Sequence, residues 1–205
     1  MPTKRYKRPE AAQAPRHGFF QGLARTRDLE AKGASRLEIR RMVGAGQLRQ
    51  VARGLYAPAG FEATEHHGLA AAAALVPDGV VCLLSALQFH HLGTQAPFEV
   101  WLAIGTKAHK PTVVDPPLRI VRFSDRALRE GVETRSIEGV NVRVTTPART
   151  VVDCFKYRNK IGIDVALEAL REYRRSRRSV DDLTRAAQVV RVANVMRPYL
   201  EAVLA

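Results

Sequence analysis

Few side chains in this chain stand in a pattern that could make or break a bond. Neighbouring histidines occur twice, His66-His67 and His90-His91, and imidazole pairs invite a metal reading. Adjacent residues on a helix point about 100° apart, so each pair offers one ligand at most to a common ion; helix packing or a surface position accounts for them. Glu99 falls on a predicted core strand, where a nuclease carboxylate could sit, but no following E-x-K brings a lysine beside it. P-loop, G-x-G-x-x-G, G-x-S-x-G, H-E-x-x-H and C-x-x-C motifs are all missing from the sequence. No catalytic set is expected, and neither a metal nor a cofactor. Arg149, Thr150 and Asp153 fall in the first turns of one predicted helix, with Arg149 and Asp153 four apart on the same face. They make either a polar site on that face or an intrahelical ion pair worth a few tenths of a kcal/mol, in its less favourable order.

Arginine is the residue type whose spacing carries chemistry here, the chemistry of phosphates and base edges. Arg36, Arg40, Arg41, Arg49 and Arg53 fall in one stretch, Thr26 to Tyr56, which reads as a helix-turn-helix followed by a β-hairpin. Thr26 is predicted to cap a short helix through Asp28, Leu29 and Ala31, closed by Gly33. Ser35 caps a second helix, with Glu38 three residues on in a capping box. In that helix Ile39, Met42 and Val43 share an inward face, and Leu37, Arg40, Arg41 and Gly44 point outward. An apolar back with a basic or small front suits a helix that enters the major groove, and Leu37 suits a thymine methyl. Gly44 and Gly46 stop the helix. Leu48–Ala52 and Leu55–Ala57 form two strands around Arg53-Gly54, a wing whose Arg49, Gln50 and Arg53 lie along phosphates. The expected DNA-contacting set is thus Ser35, Arg36, Leu37, Arg40, Arg41, Arg49, Gln50 and Arg53. Pro15, Gly18 and Gly22 interrupt the region where a three-helix core would start.

Charge points the same way. The 205 residues carry a formal net charge of +13. Residues 1–60 hold 13 Lys/Arg against 4 Asp/Glu, and residues 61–205 hold 20 against 16, so most of the excess sits on the segment with the motif. Residues 1–17 form a basic, Pro-containing arm, read as disordered in the free protein, with minor-groove contact as the alternative. The arm has no apolar stretch after its charges and is not a signal peptide. Leu69 to Leu84, the most apolar run, is broken by Pro77-Asp78-Gly79 and is too short to span a bilayer. Cys82 and Cys154 lie far apart in apolar runs and read as buried thiols of a reducing cytosol, so a cytoplasmic location without membrane contact is expected.

The fold class is α+β: an N-terminal winged helix-turn-helix over 18–62, then a mixed α/β domain over 63–205 that ends in helices. In the second part a helix is expected over His67–Leu75, a strand over Val80–Leu84 and a helix over Ala86–His91 capped by Ser85. Phe98–Ile104 alternates as a strand with Phe98, Val100, Leu102 and Ile104 on one face. Leu118–Phe123 is another strand. Glu133–Ile137 and Val140–Thr145 pair across Glu138-Gly139, and Thr146-Pro147 opens a helix. Helices over 148–158, 163–176, 180–193 and 198–204 follow, the second with an apolar stripe of Ile163, Leu167, Leu170 and Tyr173. Arg171, Arg174, Arg175, Arg177 and Arg178 form a second basic cluster, either a docking surface for an acidic partner or DNA, or a solvated helix end.

Three segments in order, V-A-R-G-L-Y (Val51–Tyr56), C-L-L-S-A-L-Q-F-H-H-L-G-T (Cys82–Thr94) with P-F-E-V-W-L-A-I (Pro97–Ile104), and T-P-A-R-T-V-V-D-C (Thr146–Cys154), resemble the abortive-infection type IV antitoxins of the AbiEi family. The resemblance covers about residues 25–205. It implies a bacterial autorepressor that binds inverted repeats of double-stranded DNA upstream of its own operon. It also implies a cognate nucleotidyltransferase-like toxin whose effect the protein neutralises, by direct or indirect contact. DNA binding by wing and second helix would map onto Arg36, Arg40, Arg41, Arg49 and Arg53; the Arg-Thr-x-x-Asp motif maps onto Arg149, Thr150 and Asp153 without a catalytic role. The alternative is a protein-interaction module that sequesters a partner toxin with little DNA binding.

Overall fold

A computed structural model describes residues 21–112 and 115–204; the predicted arm, Pro15 and Gly18 lie outside them. Strand β1 (Ala24–Arg25) leads into α1 (Thr26–Ala31), a turn, α2 (Arg36–Gly44), and the hairpin β2 (Leu48–Ala52) and β3 (Leu55–Pro58). The three strands form an antiparallel sheet in the order β1-β3-β2, with Ala24 opposite Tyr56 and Leu48 opposite Pro58. Leu29, Ile39, Met42 and Leu48 close a small core between the two helices and one face of this sheet.

The chain continues through α3 (His67–Leu75), β4 (Val80–Val81), α4 (Leu83–Phe89), β5 (Val100–Gly105), β6 (Leu118–Phe123), β7 (Val132–Ile137) and β8 (Val140–Thr145). Strands β4 to β8 make a mixed five-stranded sheet in the order β6-β5-β4-β8-β7, parallel at β5/β6 and β4/β8 and antiparallel elsewhere. Helices α5 (Pro147–Lys156), α6 (Arg158–Ile161), α7 (Ile163–Arg175), α8 (Val180–Val190) and α9 (Ala193–Leu204) end the fold. The large sheet is buried on both faces. On one side Val100, Leu102, Val142 and Val144 pack with α3 and with Leu55 and Ala57 of the small sheet. On the other, Trp101, Ala103, Val121 and Phe123 pack with α5, α7, α8 and α9. The layers therefore run α1/α2, small sheet, α3, large sheet, C-terminal helices. This is the expected α+β class, with the wing covered from behind by α3.

Several local expectations change. The N-cap of α1 is Arg25, and Thr26 is the first helical residue. Asp28 Oδ2 accepts from the Arg25 amide at 3.0 Å, while the Thr26 amide donates to Gly54 O at 2.9 Å. The strand expected over Val80–Leu84 shortens to two residues because Cys82 becomes the N-cap of α4. Ser85 lies inside that helix instead of capping it, its hydroxyl accepting from the Trp101 amide at 2.9 Å. Phe98 falls before β5 and is 87% exposed; the strand's alternation misleads because both of its faces are buried. The buried stripe of α7 is Val165, Ala166, Ala169, Leu170 and Tyr173, rotated from the expected one so that Ile163 is exposed. α8 ends at Val190 with Arg191 left-handed, and α9 begins five residues before Pro198 and carries it within the helix.

The small and large sheets are keyed together at one turn. Glu138 and Gly139 form the β7–β8 turn with φ of +52° and +78°. Leu23 donates to Glu138 O at 2.8 Å, so the turn meets the chain just before β1. A Cβ on Gly22 (φ +90°) would stand 1.9 Å from Glu138 O, whereas one on Gly33 (φ +94°) would meet nothing within 4 Å. Gly33→Ala should therefore cost about 1–2 kcal/mol from its backbone angle alone, and Gly22→Ala more than about 3 kcal/mol. Urea unfolding of both variants reads the difference, and equal losses would mean that the turn is not tightly seated.

Candidate nucleic-acid interface

The α2 helix is held by its own cap and by its apolar back. Ser35 Oγ accepts from the Glu38 amide at 3.2 Å, and Glu38 Oε2 accepts from the Ser35 amide at 2.8 Å and from its hydroxyl at 2.7 Å. The Ser35 amide holds the Glu38 carboxyl below its ordinary range. Ile39 and Met42 are buried and Val43 packs beside them. The opposite face presents Leu37, 57% exposed, together with exposed Arg40, Arg41 and Gly44. An exposed leucine flanked by arginines is an expensive solvent face but a serviceable one against a base methyl.

The other expected contact residues divide by their partners. Ser35 is engaged in the capping box. Arg36 is exposed, but its Nε is held by Glu30 Oε1 at 2.8 Å, so it enters any phosphate contact by exchanging one anion for another. Arg40, Arg41, Arg49 and Arg53 form no ion pair among the described residues. Arg49 and Gln50 stand at the start of β2 beside a cleft of about 300 Å³ shared with His67 and Asp115. Arg53, in the hairpin turn, lines a different cleft of about 310 Å³ with Arg25, Thr26 and Arg27. The wing arginines are thus placed at opposite ends of β2. The sequence reading missed Arg27, which is 65% exposed by side chain and only loosely met by Asp28 at 3.9 Å. Its place in the first turn of a helix beside the wing turn was the available signal.

Arg149, Thr150 and Asp153 come together in the interior. They are 1%, 0% and 0% exposed. Arg149 Nε donates to Asp153 Oδ1 at 2.9 Å, and its Nη1 donates to Ala127 O at 3.1 Å and Glu130 O at 2.6 Å. The guanidinium lies 5.2 Å over the Phe123 ring. Thr150 donates to Thr146 O at 2.9 Å and meets the Thr145 hydroxyl at 2.7 Å. Burial pushes the Asp153 carboxyl up to about 6, against the opposing pull of Arg149. This arrangement fastens the 127–130 turn to α5.

The histidine pairs split between packing and hydrogen bonds. His67 Nδ1 meets Glu138 at 2.8 Å, His66 lies 4.9 Å from the Phe89 ring, and His90 Nε2 donates to Thr145 O at 2.7 Å with burial holding its pKa down. Glu99 pairs with Arg119 at 2.7 Å. Both cysteines are buried, and burial raises their thiols well above the ordinary range. Among the described residues no group of three or more His, Cys, Asp or Glu is placed to hold a metal, and no helix is long and apolar enough to cross a membrane.

A strand, two short helices joined by a glycine turn, and a β-hairpin are the construction of a winged helix-turn-helix. Residues 19–59 match the family model described as "Transcriptional regulator, AbiEi antitoxin". Among solved structures, the RV2827C protein from Mycobacterium tuberculosis shares the fold over 89% of this chain and 72% of its own, with a TM-score of 0.56 and 15% identity. No curated protein matches the chain.

The buried pair gives a direct test of its role. Asp153→Ala should cost about 3–5 kcal/mol by leaving Arg149 uncompensated, whereas replacing Arg149 and Asp153 together by leucines should cost less than that single change. Denaturant unfolding checks both, and a nearly neutral Asp153→Ala would rule out a structural pair.

Proposed function

We propose that the protein is a sequence-specific transcriptional repressor that serves as the antitoxin of a type IV toxin–antitoxin system and represses its own operon through inverted repeats. The observation that carries the DNA-binding part is the outward face of α2, where Arg40 and Arg41, without an ion pair among the described residues, adjoin exposed Leu37 while Ile39 and Met42 anchor the back. The match of residues 19–59 to a transcriptional-regulator family supports it from an independent side. In this reading Arg40, Arg41 and Leu37 meet base edges. Arg49, Gln50 and Arg53 meet the backbone from the wing, and Arg36 and Ser35 border the contact at the helix start. The partner toxin, nucleotidyltransferase-like, and the abortive-infection role come from the family resemblance alone. A cytoplasmic location follows from work on operon DNA.

The two classes of contact differ in what they do to affinity. Arg40→Ala with Arg41→Ala should weaken binding to upstream operon DNA by roughly 1–3 kcal/mol for each base contact and relax discrimination at the bases concerned. Arg49→Ala or Arg53→Ala should weaken binding to all duplexes alike and reduce the salt slope by about one for each phosphate that is no longer neutralised. Mobility shifts of operator and scrambled duplexes at fixed salt, and then across salt, measure both. Unchanged operator affinity in the α2 double variant would overturn the assignment of the recognition helix.

A further inference from the structure

A second basic surface lies on the far side of the molecule, and we propose that it docks an acidic segment of a partner protein that carries an apolar anchor side chain. It centres on a cleft of about 750 Å³ between the start of α5 and the corner joining α7 to α8. Pro147, Tyr173, Ala186 and Val189 give the cleft apolar walls, and Arg178 and Arg185 stand at its margin. Behind Arg178 the corner continues with Arg171, Arg174, Arg175 and Arg177, five arginines in residues 171–178 against the single acid Glu172. Glu172 is taken up by Arg175 at 2.5 Å. Arg171, Arg174, Arg177 and Arg178 form no ion pair among the described residues, and Arg174 Nε is buried without a hydrogen-bond partner.

Of the carboxylates that border the cleft, Asp182 offsets Arg185 while Glu130 is drawn off to Arg126 at 2.8 Å, so the excess charge comes from Arg178 and the arginines behind it. The first turn of α5 holds no acidic residue, so the positive end of that helix faces the cleft without a compensating carboxylate of its own. Arginine is also the cation whose planar fork matches a carboxylate with two hydrogen bonds. Walls of tyrosine, valine and alanine edged by Arg178, Arg185 and other polar residues have the composition of a protein interface, an apolar centre with a polar rim. A phosphate backbone would leave those walls unfilled.

Layering separates this face from the DNA surface. Between α2 and α8 stand the small sheet, α3 and the large sheet. At roughly 10 Å per packed layer the two faces are about 40 Å apart. A duplex seated on α2 leaves the cleft open, so DNA and partner can be held at once.

The probe is a short fluorescein-labelled peptide of alternating Asp and Glu around one central Phe, titrated with the full-length protein and followed by anisotropy. Saturable binding is expected, weakened about ten-fold by Arg178→Glu with Arg185→Glu and by a similar factor when the peptide's Phe is replaced by Ser. The double variant should melt like the parent and shift operator DNA unchanged; should it melt early, Arg178→Ala with Arg185→Ala takes its place. Absence of binding, equal binding to the charge-reversed or alanine variant, or indifference to the Phe would overturn the proposal. So would displacement of the peptide by a random duplex from the Arg40→Ala, Arg41→Ala variant, which would make the face a nucleic-acid surface.

Discussion

The seating of the Glu138-Gly139 turn is the contact on which the relation between the two sheets depends. The turn projects from the large sheet, and its carbonyl accepts from Leu23 just before the small sheet begins. Its side chain, 1% exposed, meets the Thr64 amide at 2.7 Å, the Thr64 hydroxyl at 2.9 Å and His67 at 2.8 Å. One hairpin tip therefore fixes both the entry to the winged unit and the exit from it. Such a contact is possible only because Gly22 has no side chain to stand in the carbonyl's place.

From that tip inward, the structure is organised by burying the large sheet twice. The α3 side is built from small residues, Ala70 to Ala74, which let the small sheet approach closely. The far side is built from larger ones, Phe155, Leu170, Tyr173 and Leu183, and contains the one buried ion pair among the described residues. Isolating a guanidinium there is costly unless its hydrogen bonds are met. Arg149 offsets part of the cost by holding two carbonyls of the 127–130 turn as well as Asp153, while its Nη2 and Asp153 Oδ2 are buried without a hydrogen-bond partner among the described residues.

Much of this was legible in the chain. The Ser35/Glu38 box located α2, and its 3.6-residue period separated Ile39 and Met42 from Leu37, Arg40 and Arg41, because caps and periodicity are local properties. The Glu138-Gly139 hairpin and the Thr146-Pro147 helix start were legible for the same reason. What failed was whatever long-range packing decides. Nothing local shows that Ser85 meets a neighbouring strand, that Phe98 lies outside its strand, or that Arg149 and Asp153 are in the interior. The i,i+4 spacing of that last pair reads the same on a surface helix as on a buried one. The outward set on α2 was readable as a face, but Arg36's pairing with Glu30 was not, since it spans the turn between two helices.

The position of α3 behind the small sheet has a consequence for how the molecule would meet a duplex. A hairpin standing free could bend to follow whatever groove it met. This one turns in two residues and is held from both sides, by Leu55 and Ala57 toward α3 and by Leu48 and Tyr56 toward α2. If it binds DNA as proposed, little backbone would be left to freeze, and the entropic cost of contact would fall mainly on side chains. Adjustment of shape would then come from the nucleic acid, and sites that bend easily would be favoured over stiff ones even where the bases touched are the same.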